Sequence, residues 1–302
     1  MRVIFSLGTA LALTMPSFAA DKIKVLVVDG INNHNWKDTT PWLKKQLEAS
    51  GKFTVDVSTS PPANAPKDKW QNWNPAFASY DVVLSNYNNF NRAKWPDKVQ
   101  KSFEQFIQKG GGLVNVHGAN NAHVGWKEFE KMTGLLWRNN KYGDRLAFNQ
   151  EKKRVRMSPG KGAGAGHGPQ HQYAVVTLND EHPITKGMPK RWQHTLDELY
   201  HGQRGPAEDV NVLAVAFSDK SKRGTGLFEP MVWWIPYGKG KVVTTVLGHV
   251  GKGDSKNMVG MRCVGFLTIV LRSCEWAATG KVTISVPKNF PTADKTSTIP
   301  LK

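Results

Sequence analysis

Residues 110–121, which read GGGLVNVHGANN, say most about the fold. Three glycines lead into a short apolar run, Leu113 to Val116, and the run ends abruptly at His117. A buried strand followed at once by a sharp turn is typical of the strand-to-helix connection of an α/β enzyme. Many enzymes of that class carry a nucleophilic Ser or Cys at the turn, whereas this chain carries an imidazole.

The segments before this stretch show the same alternation of strand and helix. Apolar or alternating runs predict strands, and helical spacing predicts helices between them. The predicted strands are 22–28, 53–57, 80–86 and 113–116, and the predicted helices are 42–49, opened by Thr40-Pro41 and closed by Gly51, and 96–108. Near-continuous apolar strands joined by helices predict a mainly parallel sheet covered on both faces, which is an α/β fold.

The second half of the chain is less regular. Residues 135–171 are glycine-rich and basic, and a connection of that length predicts a lid or a binding loop. Further strands are predicted at 173–178, 210–216, 231–235 and 241–247, followed by a helix over 257–274. Cys263 and Cys274 would lie on that helix about 16 Å apart, too far for a disulfide, so both are expected to be packed thiols.

The ends and the charge of the chain indicate its compartment and exclude some functions. Residues 1–19 have the pattern of a secretory signal peptide, which predicts a periplasmic or secreted protein with no membrane insertion. The tail 287–302 contains proline and few apolar residues, so it is expected to be loose. The net charge of +17 comes mostly from dispersed lysines, which argues against nucleic acid as a partner.

The glycine run at 160–168, GKGAGAGHG, does not support a nucleotide cofactor. It lacks the Walker spacing of glycine, lysine and hydroxyl residue. It also lies in a predicted loop rather than between a strand and a helix, as a dinucleotide-binding motif requires. No G-x-S-x-G motif is present either, and both cysteines lie on the C-terminal helix. Nucleotide binding and covalent catalysis by Ser or Cys are therefore not expected.

The histidines are better candidates for chemistry. His34, His117 and His249 each follow a predicted strand, and ligands of parallel sheets bind beyond the carboxyl ends of the strands. Imidazole acts as acid, base or metal ligand near neutral pH. Together with the carboxylates of Asp197 and Glu198, these side chains predict a possible site for Zn²⁺ or another divalent ion.

The polar and aromatic side chains suggest a carbohydrate ligand. Eleven tryptophans are present, and Trp36, Trp126 and Trp233 lie near the proposed site loops. An indole face suits the apolar face of a sugar ring, and amides and carboxylates bind hydroxyl groups. The candidate substrate-binding residues are Asn33, Trp36, Asn120, Asn121, His167, Asp197, Tyr200 and Glu229.

Several motifs in order resemble the ThuA-like, trehalose-utilisation family. They are GGGLVNVHGAN, GHG, HPIT-x-GMP, DELY, RGPAEDVNVLAVA, EPMVWW, YGKGKV, LGH and CEWAATGKVT, and the resemblance covers residues 23–292. It implies one domain over residues 20–286 with the fold of class I glutamine amidotransferases, a flavodoxin-like three-layer sandwich. His117 stands where those enzymes have their nucleophilic Cys, and Gly251 stands where they have a Glu after the catalytic His. Glutamine hydrolysis is therefore not carried over.

The family is associated with bacterial use of trehalose and related glycosides through 3-keto sugars. A ketone at C3 acidifies the proton at C2, so a base and a group that stabilises the enolate oxygen permit exchange at C1. We expect His117 and Glu198 to be acid–base groups and His249 to lie with them at the catalytic centre. We expect His34, His117 and His249 to hold a divalent metal if one is used. The alternatives are a non-catalytic carbohydrate-binding or accessory protein and a metal-dependent hydrolase of another class, such as an amidase.

Overall fold

The computed structural model of the chain describes residues 21–90, 92–251, 253–254 and 256–301. The proposed signal peptide lies outside these residues. The strands are β1 (Ile23–Asp29), β2 (Phe53–Thr59), β3 (Val82–Ser85), β4 (Gly112–Val116), β5 (Asp144–Phe148), β6 (Arg154–Met157), β7 (Gly166–His167), β8 (His171–Thr177), β9 (Arg191–Asp197), β10 (Tyr200–His201), β11 (Arg204–Gly205), β12 (Asn211–Phe217), β13 (Phe228–Tyr237) and β14 (Gly240–Thr245). The α-helices are α1 (Trp36–Ala49), α2 (Lys67–Asn72), α3 (Asp97–Gln108), α4 (Lys127–Thr133), α5 (Val259–Arg262) and α6 (Val264–Thr279). No helix in the described part of the chain has the length and apolar character needed to cross a bilayer.

Five strands form a parallel half-sheet in the order β2-β1-β3-β4-β14. Successive residues of β1 point to opposite faces: Val25 and Val27 pack in the core that contains α1 and α6, and Leu26 and Val28 in the core that contains α3. Both faces are apolar because both are covered by helices. The predicted α/β sandwich is confirmed.

The sheet continues from β14 into an antiparallel half in the order β13-β12-β8-β9. Strand direction reverses at each of these four steps, so β9 runs in the same direction as β14 and β4. The carboxyl end of β9 therefore faces the same way as those of the parallel strands. This geometry brings the segment after β9 to the edge where the sequence predicts the site.

Helix α1 begins at Trp36 rather than beside Pro41, so the predicted Thr40-Pro41 start is wrong. The backbone N–H groups of Asp38 and Thr39 donate to the carbonyl of Asn35, and the Asn35 amide donates to the Asp38 carboxylate at 2.7 Å. These contacts start the helix a turn earlier, and the helix accommodates Pro41 in its interior.

The predicted C-terminal helix is interrupted at Cys263, whose extended backbone (φ −58°, ψ 123°) separates α5 from α6. Both cysteines are free and buried, as predicted. The segment 135–171, predicted to be a lid or loop, contains strands β5, β6 and β7. Its β5 strand joins the main sheet through β13, so much of this segment is part of the sheet.

The C-terminal segment, expected to be loose, packs against the domain. The Gln193 amide donates to the Thr292 carbonyl at 2.8 Å, and the Val264 amide donates to the Ser297 carbonyl at 3.0 Å. Phe290 is buried against Trp192. The segment covers the free edge of β9 and the break at Cys263. Its carbonyl groups accept backbone hydrogen bonds there, and composition alone does not predict these contacts.

Candidate metal centre and active site

Three histidines and one carboxylate meet at the carboxyl edge of the sheet. His34 follows β1, His117 follows β4, His249 follows β14, and Glu198 follows β9. One ligand atom from each of the four lies within 4.8 Å of the others. The ring centroids of the histidines form a triangle with sides of 4.6, 5.1 and 5.3 Å. The structure thus brings together the three predicted metal ligands and the predicted acid–base carboxyl.

His117 is held at the strand-to-helix turn in a defined tautomer. Its backbone is left-handed (φ +47°), an uncommon conformation for a non-glycine residue. Its Nδ1–H donates to the Val246 carbonyl at 2.8 Å, so its Nε2 is the acceptor and takes a hydrogen bond from the Tyr200 hydroxyl at 2.9 Å. Burial, with His34 and His249 close by, lowers the pKa of His117 far below its usual range. The ring is therefore neutral, the form in which imidazole binds a metal.

His34 is oriented by a chain of amides that begins in the core. The Asn86 amide donates to the hydroxyls of Thr39 and Thr40, and the Asn86 carbonyl accepts from the Asn32 amide at 3.1 Å. The Asn32 side-chain oxygen in turn accepts from Nδ1–H of His34 at 3.1 Å, so Nε2 is the acceptor nitrogen and lies 3.5 Å from the Tyr200 hydroxyl. Burial, followed by the nearby His249, lowers the pKa of His34 to about 3.

His249 is positioned by the carboxylate of Asp197. That carboxylate accepts the backbone N–H groups of Gly248 at 2.8 Å, of His249 at 2.9 Å and of Glu198 at 2.9 Å. It also receives Nε2–H of His194 at 2.5 Å. Burial opposes a charge on His194, but the neighbouring Cys263 and Asp197 raise the pKa of His194 to about 10. A buried ion pair thus fixes the turn that carries His249.

Glu198 brings a carboxyl group to the histidines. Its Oε1 is 3.3 Å from Nε2 of His249 and 3.6 Å from Nδ1 of His167. Burial, together with Asp197 and Asp254, raises the pKa of Glu198 to about 8. The carboxyl group therefore exchanges a proton near neutral pH, which is the property required of a general acid–base group.

An aromatic wall stands beside the cluster. The ring of Tyr200 lies 4.4 Å from that of His117 and 4.5 Å from that of Trp137, and His167 stacks on Tyr200 at 6.1 Å. Strand β7 pairs with β10, opposing His167 to Tyr200, so the glycine-rich segment supplies one side of the site. A wall of this kind suits the apolar face of a ring-shaped substrate.

The donor set fits a divalent metal. For His34 and His117 one ring nitrogen donates to an oxygen of the protein and the other faces the cluster, which is the outer-shell arrangement of histidine metal ligands. Burial also lowers the pKa of His249, so all three rings are neutral near pH 7. Three neutral imidazoles with a carboxyl group are typical ligands of Zn²⁺, Mn²⁺ or Fe²⁺.

Three residues that the sequence predicts to bind substrate are buried in contacts with the protein. Asp197 is 1% exposed, and its hydrogen bonds go to the protein, so it positions His249. Asn120 is fully buried and donates to Gln203 at 2.6 Å. Glu229 is fully buried in an ion pair with Arg145. These contacts favour structural roles for the three side chains, and substrate contact by them stays a prediction.

Two of the three tryptophans predicted near the site loops make contacts outside the histidine cluster. Trp233 is fully buried, and its indole N–H donates to the Thr133 carbonyl. Trp126 packs against His123 and lines a separate cavity of about 160 Å³. Asn33 is exposed next to His34, Trp36 is half-buried at the start of α1, and Asn121 is buried in the turn after His117. Substrate contacts by these last three stay predictions.

Four residues of the site were missed in the sequence. They are Asn32 and Trp137, described above, and Gln170 and Asp254, which approach Nδ1 of His249 at 3.0 and 3.6 Å. Asn32 lies in a predicted site loop, two residues before His34, and this spacing was the available signal. The other three come from segments without hydrophobic periodicity.

Comparisons with known proteins identify relatives of the chain. A family model described as ThuA, trehalose utilisation, matches residues 24–277. A ThuA-like protein of Parabacteroides merdae is 38% identical, covers 92% of this chain and 98% of its own, and superposes with a TM-score of 0.86. A ThuA-like protein of Bacteroides uniformis has the same fold at 18% identity, with 89% and 98% coverage and a TM-score of 0.54. No curated protein matches the chain. Because the family model matches most of the chain, the chain belongs to the ThuA, or trehalose-utilisation, family.

Proposed function

We propose that this protein is a metal-dependent enzyme that acts on a glycoside or a 3-keto sugar by acid–base chemistry. The observation that carries the proposal is the cluster of His34, His117, His249 and Glu198, whose ligand atoms lie within 4.8 Å of one another at the carboxyl edge of the sheet. Family membership supports the substrate class, since the family description is trehalose utilisation. The signal-peptide pattern of residues 1–19 supports action in the periplasm or outside the cell.

The three imidazoles would hold the metal, because each is neutral and directs one nitrogen into the cluster. A bound divalent ion polarises a carbonyl oxygen and stabilises the negative charge that develops on it. This chemistry suits a keto sugar, in which loss of the C2 proton places charge on the ketone oxygen.

Glu198 would move the proton. Its carboxyl group lies beside His249 and His167. The group is mostly buried, and burial raises its pKa to about 8, near neutral pH. A carboxylate at this position can accept the C2 proton and return it to the leaving group at C1. His167 and the wall of Trp137 and Tyr200 would orient the sugar ring.

The proposal is tested by turnover of a 3-keto disaccharide followed by NMR, with metal-stripped and reloaded protein. We expect activity to require the ion and to fall by about 10²-fold or more in His117→Ala and in Glu198→Gln. Only His117→Ala should lose the ion as well. His171→Ala, outside the cluster, is the matched control.

A loss of less than tenfold in a folded His117→Ala protein would contradict a catalytic role for His117, whether as metal ligand or as acid–base group. Sugar binding without turnover would favour the non-catalytic carbohydrate-binding alternative. Release of ammonia from simple amides, with no reaction of keto sugars, would favour a hydrolase of another class.

A further inference from the structure

The hydroxyl group of Tyr200 lies among the histidine nitrogens of the proposed metal centre. Its hydroxyl oxygen lies 2.9 Å from Nε2 of His117 and 3.5 Å from Nε2 of His34, the two nitrogens that face the cluster. The side chain is 3% exposed. Its ring is enclosed by the rings of His117, Trp137 and His167. The hydroxyl therefore cannot leave the cluster without displacing packed aromatic side chains.

The local backbone directs both Tyr200 and Glu198 to the cluster. Side chains two residues apart in an extended segment point to the same face. Glu198 and Tyr200 obey this spacing and contact the histidines, while Asp197 and Leu199 are buried in the protein. One four-residue segment, DELY, thus supplies a positioning carboxylate, an acid–base carboxyl and a phenol.

The distances around the phenol oxygen are those between neighbouring ligands of one ion. Nitrogen and oxygen ligands lie roughly 2.0–2.2 Å from Zn²⁺, so adjacent ligand atoms are separated by roughly 2.8–3.6 Å in octahedral or tetrahedral geometry. The oxygen of Tyr200 stands at 2.9 and 3.5 Å from two histidine nitrogens. The phenol oxygen and the two nitrogens are therefore spaced as atoms that would bind one ion.

The hydrogen bond of Tyr200 also competes with the metal. While its hydroxyl donates to Nε2 of His117, the lone pair of that nitrogen is not available to an ion. We propose that Tyr200 is itself a ligand of the ion, bound through its phenolate oxygen together with His34, His117 and His249. On binding, the O–H bond breaks, an oxygen–metal bond forms, and the proton leaves to solvent. This inference rests on the proposed metal centre.

The test uses Cu²⁺ as the probe, because copper binds such sites tightly and a copper–phenolate bond absorbs visible light by charge transfer. One equivalent of Cu²⁺ is added to the metal-free full-length protein. We expect a charge-transfer band in the wild type and in Tyr237→Phe, a tyrosine that instead contacts Glu128. Tyr200→Phe should lose this band, keep the weaker copper–histidine absorption, and bind Zn²⁺ about tenfold or more weakly.

A copper-loaded wild type without the charge-transfer band, or Tyr200→Phe that keeps it, would overturn the inference and leave the histidine centre standing. A wild type that takes up neither Cu²⁺ nor Zn²⁺ would overturn the inference and the proposed function together. If Tyr200→Phe does not fold, resonance Raman spectra of copper-loaded wild type decide the question. Phenolate modes that shift on incorporation of ring-deuterated tyrosine support ligation, and their absence overturns it.

Discussion

At the scale of single residues, His117 shows how the strand-to-helix turn has been adapted. The left-handed backbone at φ +47° costs roughly 1–3 kcal/mol. It directs the imidazole into the cluster, where the Val246 carbonyl fixes its tautomer. The same turn places Gly118 in close contact with the His34 ring. The position of one metal ligand therefore depends on the small size of the residue that follows another.

Gly118→Ala tests this dependence. A Cβ at position 118 would lie 2.5 Å from Nδ1 of His34, so the imidazole must move and its hydrogen bond to Asn32 is disturbed. We expect metal affinity to fall by about tenfold or more, measured by titration calorimetry of the metal-free protein. Gly253→Ala is the control, since a Cβ there would meet nothing within 4 Å. Unchanged affinity in Gly118→Ala would show that His34 is not held in place as described.

Asp197→Asn tests the positioning of His249. The substitution removes the charge that pairs with buried His194 and weakens the acceptor of three backbone N–H groups. We expect unfolding free energy to fall by about 3–5 kcal/mol and metal affinity by about 10–100-fold. Urea unfolding and metal titration measure the two effects. Wild-type metal affinity in the folded variant would contradict the positioning role.

At the scale of strands and loops, the direction of the strands determines which residues meet at the site. His34, His117 and His249 could be predicted as neighbours because carboxyl ends of parallel strands share an edge. Glu198 joins them because β9, reached through four antiparallel steps, points the same way. No local pattern predicts the number of such steps. The burial of Asn120 likewise depends on Gln203, a contact between segments distant in sequence.

Glu229→Gln distinguishes a structural role of Glu229 from the substrate-binding role that the sequence predicts. Glu229 on β13 pairs with Arg145 on β5 and accepts the Gly202 amide at 3.0 Å. Breaking a buried pair leaves Arg145 without its partner, so we expect about 3–5 kcal/mol lower stability to urea. The KM for the keto sugar should not change, because Glu229 has no surface for substrate.

The control for this comparison is Asp144→Asn, which breaks the exposed pair of Asp144 with Arg156. Exposed pairs contribute roughly 0–1 kcal/mol, so the two variants should differ severalfold. A Glu229→Gln protein as stable as the wild type with a raised KM would restore the substrate-binding interpretation.

At the scale of the whole molecule, buried histidines connect stability to pH. His123 is enclosed by Tyr87, Trp95, Trp126 and Phe129, and burial, with the charge of Arg138, lowers its pKa to about 3. Below pH 6.5 the unfolded chain binds a proton at this residue while the folded chain does not. The unfolded state then carries more protons, so stability falls as the pH falls from 6.5 toward 3.

His123→Phe should remove this contribution, because the phenyl ring fits the aromatic surroundings and does not titrate. We expect the wild type to lose up to about 1.4 kcal/mol more per pH unit than the variant between pH 6 and pH 4. Urea unfolding at each pH gives the slopes. Equal slopes would show that His123 is protonated in the folded protein.

The family resemblance and the α/β pattern predicted the architecture well, since both depend on long apolar strands with strong periodicity. The prediction was weaker for features that depend on tertiary contacts, such as helix ends and the packing of loops. The sequence predicted a helix start at Thr40-Pro41, but the helix begins at Trp36. The polar tail from Pro287 was expected to be loose, but it forms backbone hydrogen bonds with the sheet edge. Trp137 was missed because its segment has no periodic pattern. Composition alone does not show which polar residues will be buried.

The central claim is that His34, His117 and His249 hold a divalent ion. The most direct measurement is elemental analysis of full-length protein that has been stripped of metal and dialysed against Zn²⁺ or Mn²⁺. The account predicts one ion per chain in the wild type and in His171→Ala, and almost none in His34→Ala or His117→Ala. A wild type without an ion, or histidine variants that retain a full equivalent, would contradict it.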